Sequence, residues 1–330
     1  MSSLMRNGLM RNRLKPDGPI SDNHVPNNQV PDNHVPSSRS FPVVRRLGVG
    51  DLRDCAALAV DRGWWPERAK WSLLLAASEA YGVGAPDGQG LAGTVVLTRW
   101  GADRAAIGMM LIASRYGRQG IGRALMEHAL HAAGEGTAVS LFATDAGRPL
   151  YEKLGFQPVR RSVAFRGHFH LNSQTGKGGK SESRAGAAGH VRDATEADLQ
   201  AILTLDLAAY GADRGRILTR LPGFAERIVV LEAGDGIVGY AAGWRTEAYM
   251  MVGPLMAQDG GAARRLVTEL AGRSTVAVRL DLDPDRSELP GWARARGLEP
   301  TERTVMMTRG DLTPRGRPER LFTPISVAMA

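Results

Sequence analysis

Apolar positions along this chain fall into short blocks of two kinds. Residues 42–46 read as a strand, 51–60 and 67–77 as helices, and 91–99 and 105–113 as strands that alternate or run apolar. A helical period over 121–133 sets Leu125, Ala129 and Ala132 on one face. Strand 138–143, helix 147–154 and strand 156–165 follow, with Gly-rich turns between the blocks.

One junction stands out from this pattern. Residues 107–132 pass from an apolar strand through a glycine-rich basic loop, RYGRQGIGR at 115–123, into the helix. Glycines let the backbone approach an oxyanion closely, and a helix N-terminus offers unpaired N–H donors at the positive end of its dipole. The local chemistry is that of a diphosphate site. A nucleotide P-loop would close on Gly-Lys-Ser/Thr, but Gly122 is followed by Arg123 and Ala124. A dinucleotide fingerprint would read Gly-x-Gly-x-x-Gly with an acid at the end of the next strand. Here the order is Gly117-x-x-Gly120-x-Gly122, and the strand from 138 ends without an acid.

The loop order and a second block, LFATDAGRPLYEKLGF at 141–156, resemble the GNAT acetyltransferase superfamily. Its signature is Gln/Arg-x-x-Gly-x-Gly/Ala, and its fourth helix carries a tyrosine. The resemblance covers residues 41–170. One position departs: Gly117 stands where Gln or Arg is usual, and the arginine comes one place later, at Arg118.

The second half echoes the first. HVRDATEADL at 190–199 parallels VVRRLGVGDL at 43–52, and RGLEPTERTV at 296–305 parallels LGFQPVRRSV at 154–163. Between them the pattern gives a helix at 196–208, strands near 228–232, 237–244 and 250–254, a helix at 262–272 and a strand at 276–281. The implied fold class is α/β (α+β): two tandem GNAT-like domains, each a mixed, mostly antiparallel sheet flanked by helices. The expected organisation is a disordered tail at 1–40 with a Pro-punctuated pentapeptide repeat, a GNAT domain at 41–170, a flexible Gly/Ser-rich linker at 171–189, and a degenerate GNAT-like domain at 190–330. At the second loop, AQDGGAAR at 257–264, Asp259 brings negative charge to the diphosphate position, so cofactor is expected only in the first half.

Composition narrows this picture. Hydrophobic residues are 43% and charged residues 23% of 330, an ordinary soluble balance. The single cysteine, Cys55, excludes an intrachain disulfide and suits a reducing, cytoplasmic setting. No apolar run is long enough to span a membrane, and the N-terminus lacks the apolar core of a secretory signal. The net charge of +8 comes without an aromatic-basic platform, so nucleic acid is not an expected partner. No metal is expected. A homodimer stays open.

The resemblance implies acetyl-CoA as co-substrate and an amine as acceptor. It implies that backbone groups of Leu111, Ile112 and Ala113 pair with the pantetheine arm, and that the loop and first turn of Arg118, Gln119, Gly120, Ile121, Gly122, Arg123 and Ala124 hold the diphosphate. Tyr151 matches the superfamily tyrosine expected to serve as general acid at the thioester sulfur. Thr144 and Arg148 precede it, with helix capping expected of Thr144. Trp64 and Trp65 lie between the first two helices and are candidates to stack on the acceptor. No general base stands out, with Asp61, Glu67, Glu79 and Asp103 candidates by charge alone. Asp206, Tyr210, Asp213 and Arg214 form a polar cluster read as a helix terminus with a local ion pair. The expected activity is acetyl-CoA-dependent N-acetyl transfer to a primary amine of a small molecule or protein. The alternative is an inactive acyl-CoA-binding sensor or scaffold.

Overall fold

The computed structural model describes residues 43–171 and 189–329 apart from Asp235, Leu312 and Pro314. The expected tail, with its pentapeptide repeat, and linker positions 172–188 lie outside the described residues. In the first half the elements run β1 (Val44–Arg46), α1 (Leu52–Asp61), α2 (Arg68–Ala77), β2 (Glu79–Gly84), β3 (Leu91–Trp100), β4 (Arg104–Ile112), α3 (Ile121–Ala133), β5 (Ala138–Ala143), α4 (Arg148–Lys153) and β6 (Gln157–Gly167). The second half gives β7 (Gly189–Asp193), α5 (Leu199–Tyr210), α6 (Gly215–Leu218), α7 (Leu221–Phe224), β8 (Arg227–Ala233), β9 (Gly236–Arg245), β10 (Met250–Ala257), α8 (Gly260–Ala271), β11 (Val278–Leu282), α9 (Leu289–Ala295), β12 (Glu299–Arg309) and β13 (Leu321–Thr323). Strand β2 was not legible beforehand. Its two glycines in six residues read as a turn, and only pairing with β1 and β3 makes it a strand.

All of these strands join one sheet in the order β1-β2-β3-β4-β5-β12-β6-β11-β10-β9-β8-β7, with β13 added beside β10. The list is unchanged when reversed with β1 replaced by β7, β2 by β8, and so on to β6 and β12. The sheet is mostly antiparallel, with parallel pairs at β4–β5 and β10–β11. The halves do not keep separate sheets. Strand β12 of the second half pairs with β5 of the first (Met307 opposite Leu141), and β6 of the first pairs with β11 of the second (Phe165 opposite Leu280). Each half lends one strand, β6 or β12, to the other, and the described residues of both halves form one compact unit.

The two faces of the sheet are built from opposite residues of each strand. Helix α3 turns Ile121, Leu125, Met126, Ala129 and Ala133 onto one face, against Val95, Leu97 and Ile107. Helices α1 and α2 cover the other face, where Trp71 and Leu74 meet Val96, Met109 and Leu111. That second core is shared: Trp244, Tyr249, Met251, Ile325 and Met329 from the second half belong to it. Cys55 is fully buried in it, and burial pushes its thiol up to about 12, which removes it as a nucleophile.

Candidate functional site

Strands β4 and β5 stay paired only from Arg104 opposite Ala138 to Ile107 opposite Leu141. Beyond Ile107 they diverge. The cause is visible on the other edge of β4, where Thr94 faces Leu111 but Val96 faces Gly108, so β4 carries an extra residue. Met109 sits in this bulge at φ +47°, a left-handed conformation that costs a non-glycine residue about 1–2 kcal/mol. Its carbonyl accepts from Thr94 Oγ1 at 2.9 Å. The edge of Met110–Ile112 turned toward β5 is thus left without a strand partner, while Leu111 and Ile112 remain held by β3 on the other side. No residue pattern announces this bulge, so Met109 and Thr94 had no signal in the sequence.

The loop after β4 leads to the start of α3. Gly120 precedes that helix at φ +85°, with no side chain capping the free N–H groups of the first turn. Arg118 and Gln119 are exposed, Ile121 is buried beneath, and Gly122 lies close to Met110 and Leu150. Ala124 begins the regular helix, donating its N–H to the Gly120 carbonyl. The arginines are not equivalent. Arg115 is tied to Asp87 at 3.2 Å and to the Gln89 carbonyl at 3.0 Å, and Arg123 to Glu127 at 2.7 Å. Arg118 makes no ion pair among the described residues, so it is the cation left free to meet an anion. The loop is anchored at its start by Asp61, whose carboxylate accepts the Ser114 N–H at 2.6 Å, while Arg62 donates to Ser114 Oγ at 2.8 Å.

Tyr151 stands on α4, which shares the core with α3, and is 8% exposed. Its ring meets Phe156 edge-on at 6.1 Å. Burial alone pushes its hydroxyl up to about 12. Among the described residues that hydroxyl has no hydrogen-bond partner, so its proton is held and available to donate. Thr144 accepts the Gly147 N–H in the turn before α4, and Arg148 pairs with Glu152 along it. Trp64 and Trp65 are 42% and 50% exposed in the turn between α1 and α2.

The four carboxylates considered as bases are all engaged. Asp61 holds the loop, Glu67 pairs with Lys70, Asp103 pairs with Arg315, and Glu79 binds Arg99 and Tyr81. The cluster at 206–214 does lie at the end of α5 with a local ion pair, but the pair is buried. Arg214 is wholly buried, bidentate to Asp206, stacked 4.4 Å from the Tyr210 ring, with Tyr240 also donating to Asp206. It packs beside Trp100 of β3, which makes it part of the seam between halves. Among the described residues no group of His, Cys, Asp and Glu side chains is arranged to hold a metal ion, and no helix is long and apolar enough to cross a membrane.

The second half repeats the frame with different contents. Gly93 and Gly239 occupy equivalent places, each facing a helix leucine, Leu125 or Leu266. Their strand partners are Ile112 and Ala257, so Leu111 answers to Met256 and Gly108 to Gly253. Counting back from the two leucines, Arg118 answers to Asp259. Residues 113–120 separate Ile112 from α3, whereas only 258 and 259 separate β10 from α8. Asp259 also caps its own helix, accepting the Ala262 N–H at 2.8 Å. One of the first-turn donors left uncapped in the first copy is thus satisfied internally in the second.

Two family profiles match the chain, both described as an acetyltransferase (GNAT) domain, over residues 77–158 and 202–323. The uncharacterized N-acetyltransferase YitH of Bacillus subtilis (strain 168) is 28% identical over 185 residues, 56% of this chain, and the match spans 62% of the relative's own length. A Pyrococcus horikoshii protein assigned as an acetyltransferase superposes with a TM-score of 0.71 at 17% identity, covering 87% of this chain and 95% of its own. A tandem GNAT protein from the clavulanic acid biosynthesis pathway gives 0.56 at 19% identity, covering 82% and 98%. At these identities the two structures speak for the fold.

Proposed function

The chain belongs to the GNAT acetyltransferase superfamily, carrying two of its domains in tandem, and we propose that the first copy transfers acetyl from acetyl-CoA to a primary amine of a small molecule or protein. The observation that carries this reading is the uncapped start of α3 beside free Arg118 and the unpaired β4 edge. Those donors fit the co-substrate. The N–H groups from Arg118 to Arg123 suit its diphosphate, that of Ala124 being spent on Gly120, and the free β4 edge around Leu111 and Ile112 suits the amides of its pantetheine arm, whereas the N–H and carbonyl of Ala113 are taken by Ala92 and Tyr116. The co-substrate supplies an activated thioester carbonyl.

The chain's own residues then have three tasks. The β4 edge fixes the arm in the divergence between β4 and β5, which restricts the thioester to one position. Tyr151 offers a proton at its hydroxyl to the leaving sulfur. Burial pushes the phenol up to about 12, so it is protonated at neutral pH and can donate to the departing thiolate. Since the four candidate carboxylates are already paired, the amine's proton leaves through water.

The test is Tyr151→Phe in the full chain. Amine acetylation should fall about 100-fold, while CoA affinity by calorimetry stays the same. Equal rates from both proteins would remove Tyr151 from the mechanism, and no CoA uptake by wild type would remove the reading.

A further inference from the structure

The carboxy-terminal stretch touches the divergence of both copies. In the second copy, β10 and β11 stay paired only at Met250 opposite Val278 and Met251 opposite Arg279. The freed edge of β10 does not stay open. Strand β13 pairs with it, Thr323 opposite Leu255 and Leu321 opposite Met256. Thr323 Oγ1 also donates to the Val252 carbonyl at 3.2 Å. Met256 answers to Leu111, whose backbone is assigned above to the pantetheine arm. The chain's own strand thus lies where the second copy would otherwise receive an extended ligand.

From this anchor the chain crosses to the first copy. A Cβ on Gly253 would collide with the Pro324 carbonyl oxygen, and one on the equivalent Gly108 with that of Ala328. Backbone passes over both glycines at contact distance, which only glycine permits. Ile325 and Met329 are each 1% exposed and share the core with Met109 and Leu111. Val327 and Ala328, between them, remain half-exposed, as do Gly108 and Met110.

The face matters. Tyr151 and the start of α3 lie on the α3 side of the sheet, together with Met110 and Ile112. Gly108 and Met109 point to the opposite side, that of α1 and α2. A thioester held between β4 and β5, with its sulfur toward Tyr151, is open to a nucleophile from the side the carboxy-terminal stretch covers.

We propose that residues 321–329 are an acceptor-selecting wall: the second copy has exchanged ligand binding for holding this segment, and the segment sets which amines reach the first copy. This rests on the reading of the first copy as the acetyl-transfer site. The wall presents uncharged groups, Val327 and Ala328, so it selects by size rather than by charge.

Two variants of the full chain test it. One ends after Arg320. The other is Gly108→Ala, whose Cβ forces Ala328 away without deleting anything. Each is compared with wild type for CoA affinity, for acetyl-CoA hydrolysis without amine, and for turnover on primary amines graded from alkyl to bulky aromatic. CoA affinity should hold, hydrolysis should rise, and preference should shift toward bulky amines by about tenfold. Unchanged hydrolysis and preference in a Gly108→Ala protein that still takes up CoA would overturn the proposal. If wild type itself takes up no CoA, the underlying reading fails, and the proposal with it.

Discussion

The two copies diverge from one frame at the same place. Both split a parallel strand pair where a bulge begins, and both set a helix N-terminus beside the split. In the first copy that helix start is uncapped, with Arg118 free before it. In the second, Asp259 stands where Arg118 does and satisfies the helix itself, while β13 takes the strand edge. The features proposed to hold an anion and an extended ligand are therefore absent together from the second copy, through one charge reversal, a shortened loop and one added strand. Backbone donors bind ligands only when the chain leaves them unpaired.

The most severe way to break the comparison is to cut the copies apart. Fragment 41–171 leaves β5 without β12 and β6 without both β12 and β11. Bare edges of this kind pair with other chains. The isolated fragment should fail to give a folded monomer by gel filtration and circular dichroism, while co-expressed 41–171 and 189–330 should assemble one to one. A stable, monomeric 41–171 would show that the exchange is dispensable.

A gentler test swaps the charges at equivalent positions. Arg118→Asp should weaken CoA binding by about tenfold or more, since it removes a cation and puts an anion at the helix start. The reciprocal Asp259→Arg should add no second CoA per chain, because β13 still holds the β10 edge. Calorimetric stoichiometry decides, and a second equivalent of CoA would refute the idea that the tail closes that copy.

The smallest expected difference concerns the helix entries, where the copies also match. Asp198 takes two bonds from Arg192 at 2.7 and 2.8 Å and the Thr195 N–H at 2.7 Å. Asp51 takes Arg45 at 2.6 Å and the Gly48 N–H at 2.9 Å, in a more exposed setting. Hydrogen bonds from the arginines hold both carboxyls below the ordinary carboxylate value. A depressed folded value means the stabilisation is present above the unfolded carboxylate range and lost as pH falls through the folded one. Asp198→Ala should cost about 1 kcal/mol at neutral pH, and Asp51→Ala only a few tenths, about what exposed pairs give. Urea melts at pH 7 and in strong acid read this directly. The gap between each variant and wild type should narrow in acid, and a gap that widens there would reverse the assignment.

What the sequence determined was local. Glycines spaced through a basic loop, a helical period after it and a tyrosine in a short amphipathic helix are all set within a few residues of one another. Such patterns follow from backbone geometry and helix electrostatics, so the family, the repeat and the candidate cofactor loop were legible. The Asp259 reversal was legible for the same reason. What only the tertiary structure decided was which distant segments meet. Nothing local distinguishes β6 and β12 staying at home from β6 and β12 trading places, because either arrangement satisfies the same alternation. The bulge at Met109, the engagement of Arg115 by Asp87, the burial of Arg214 against Asp206, and the passage of 321–329 over Gly253 and Gly108 likewise arise from tertiary packing, whereas the Arg123–Glu127 pair is local to α3. Periodicity reports which face of an element is apolar; it carries no address for the surface that face will find.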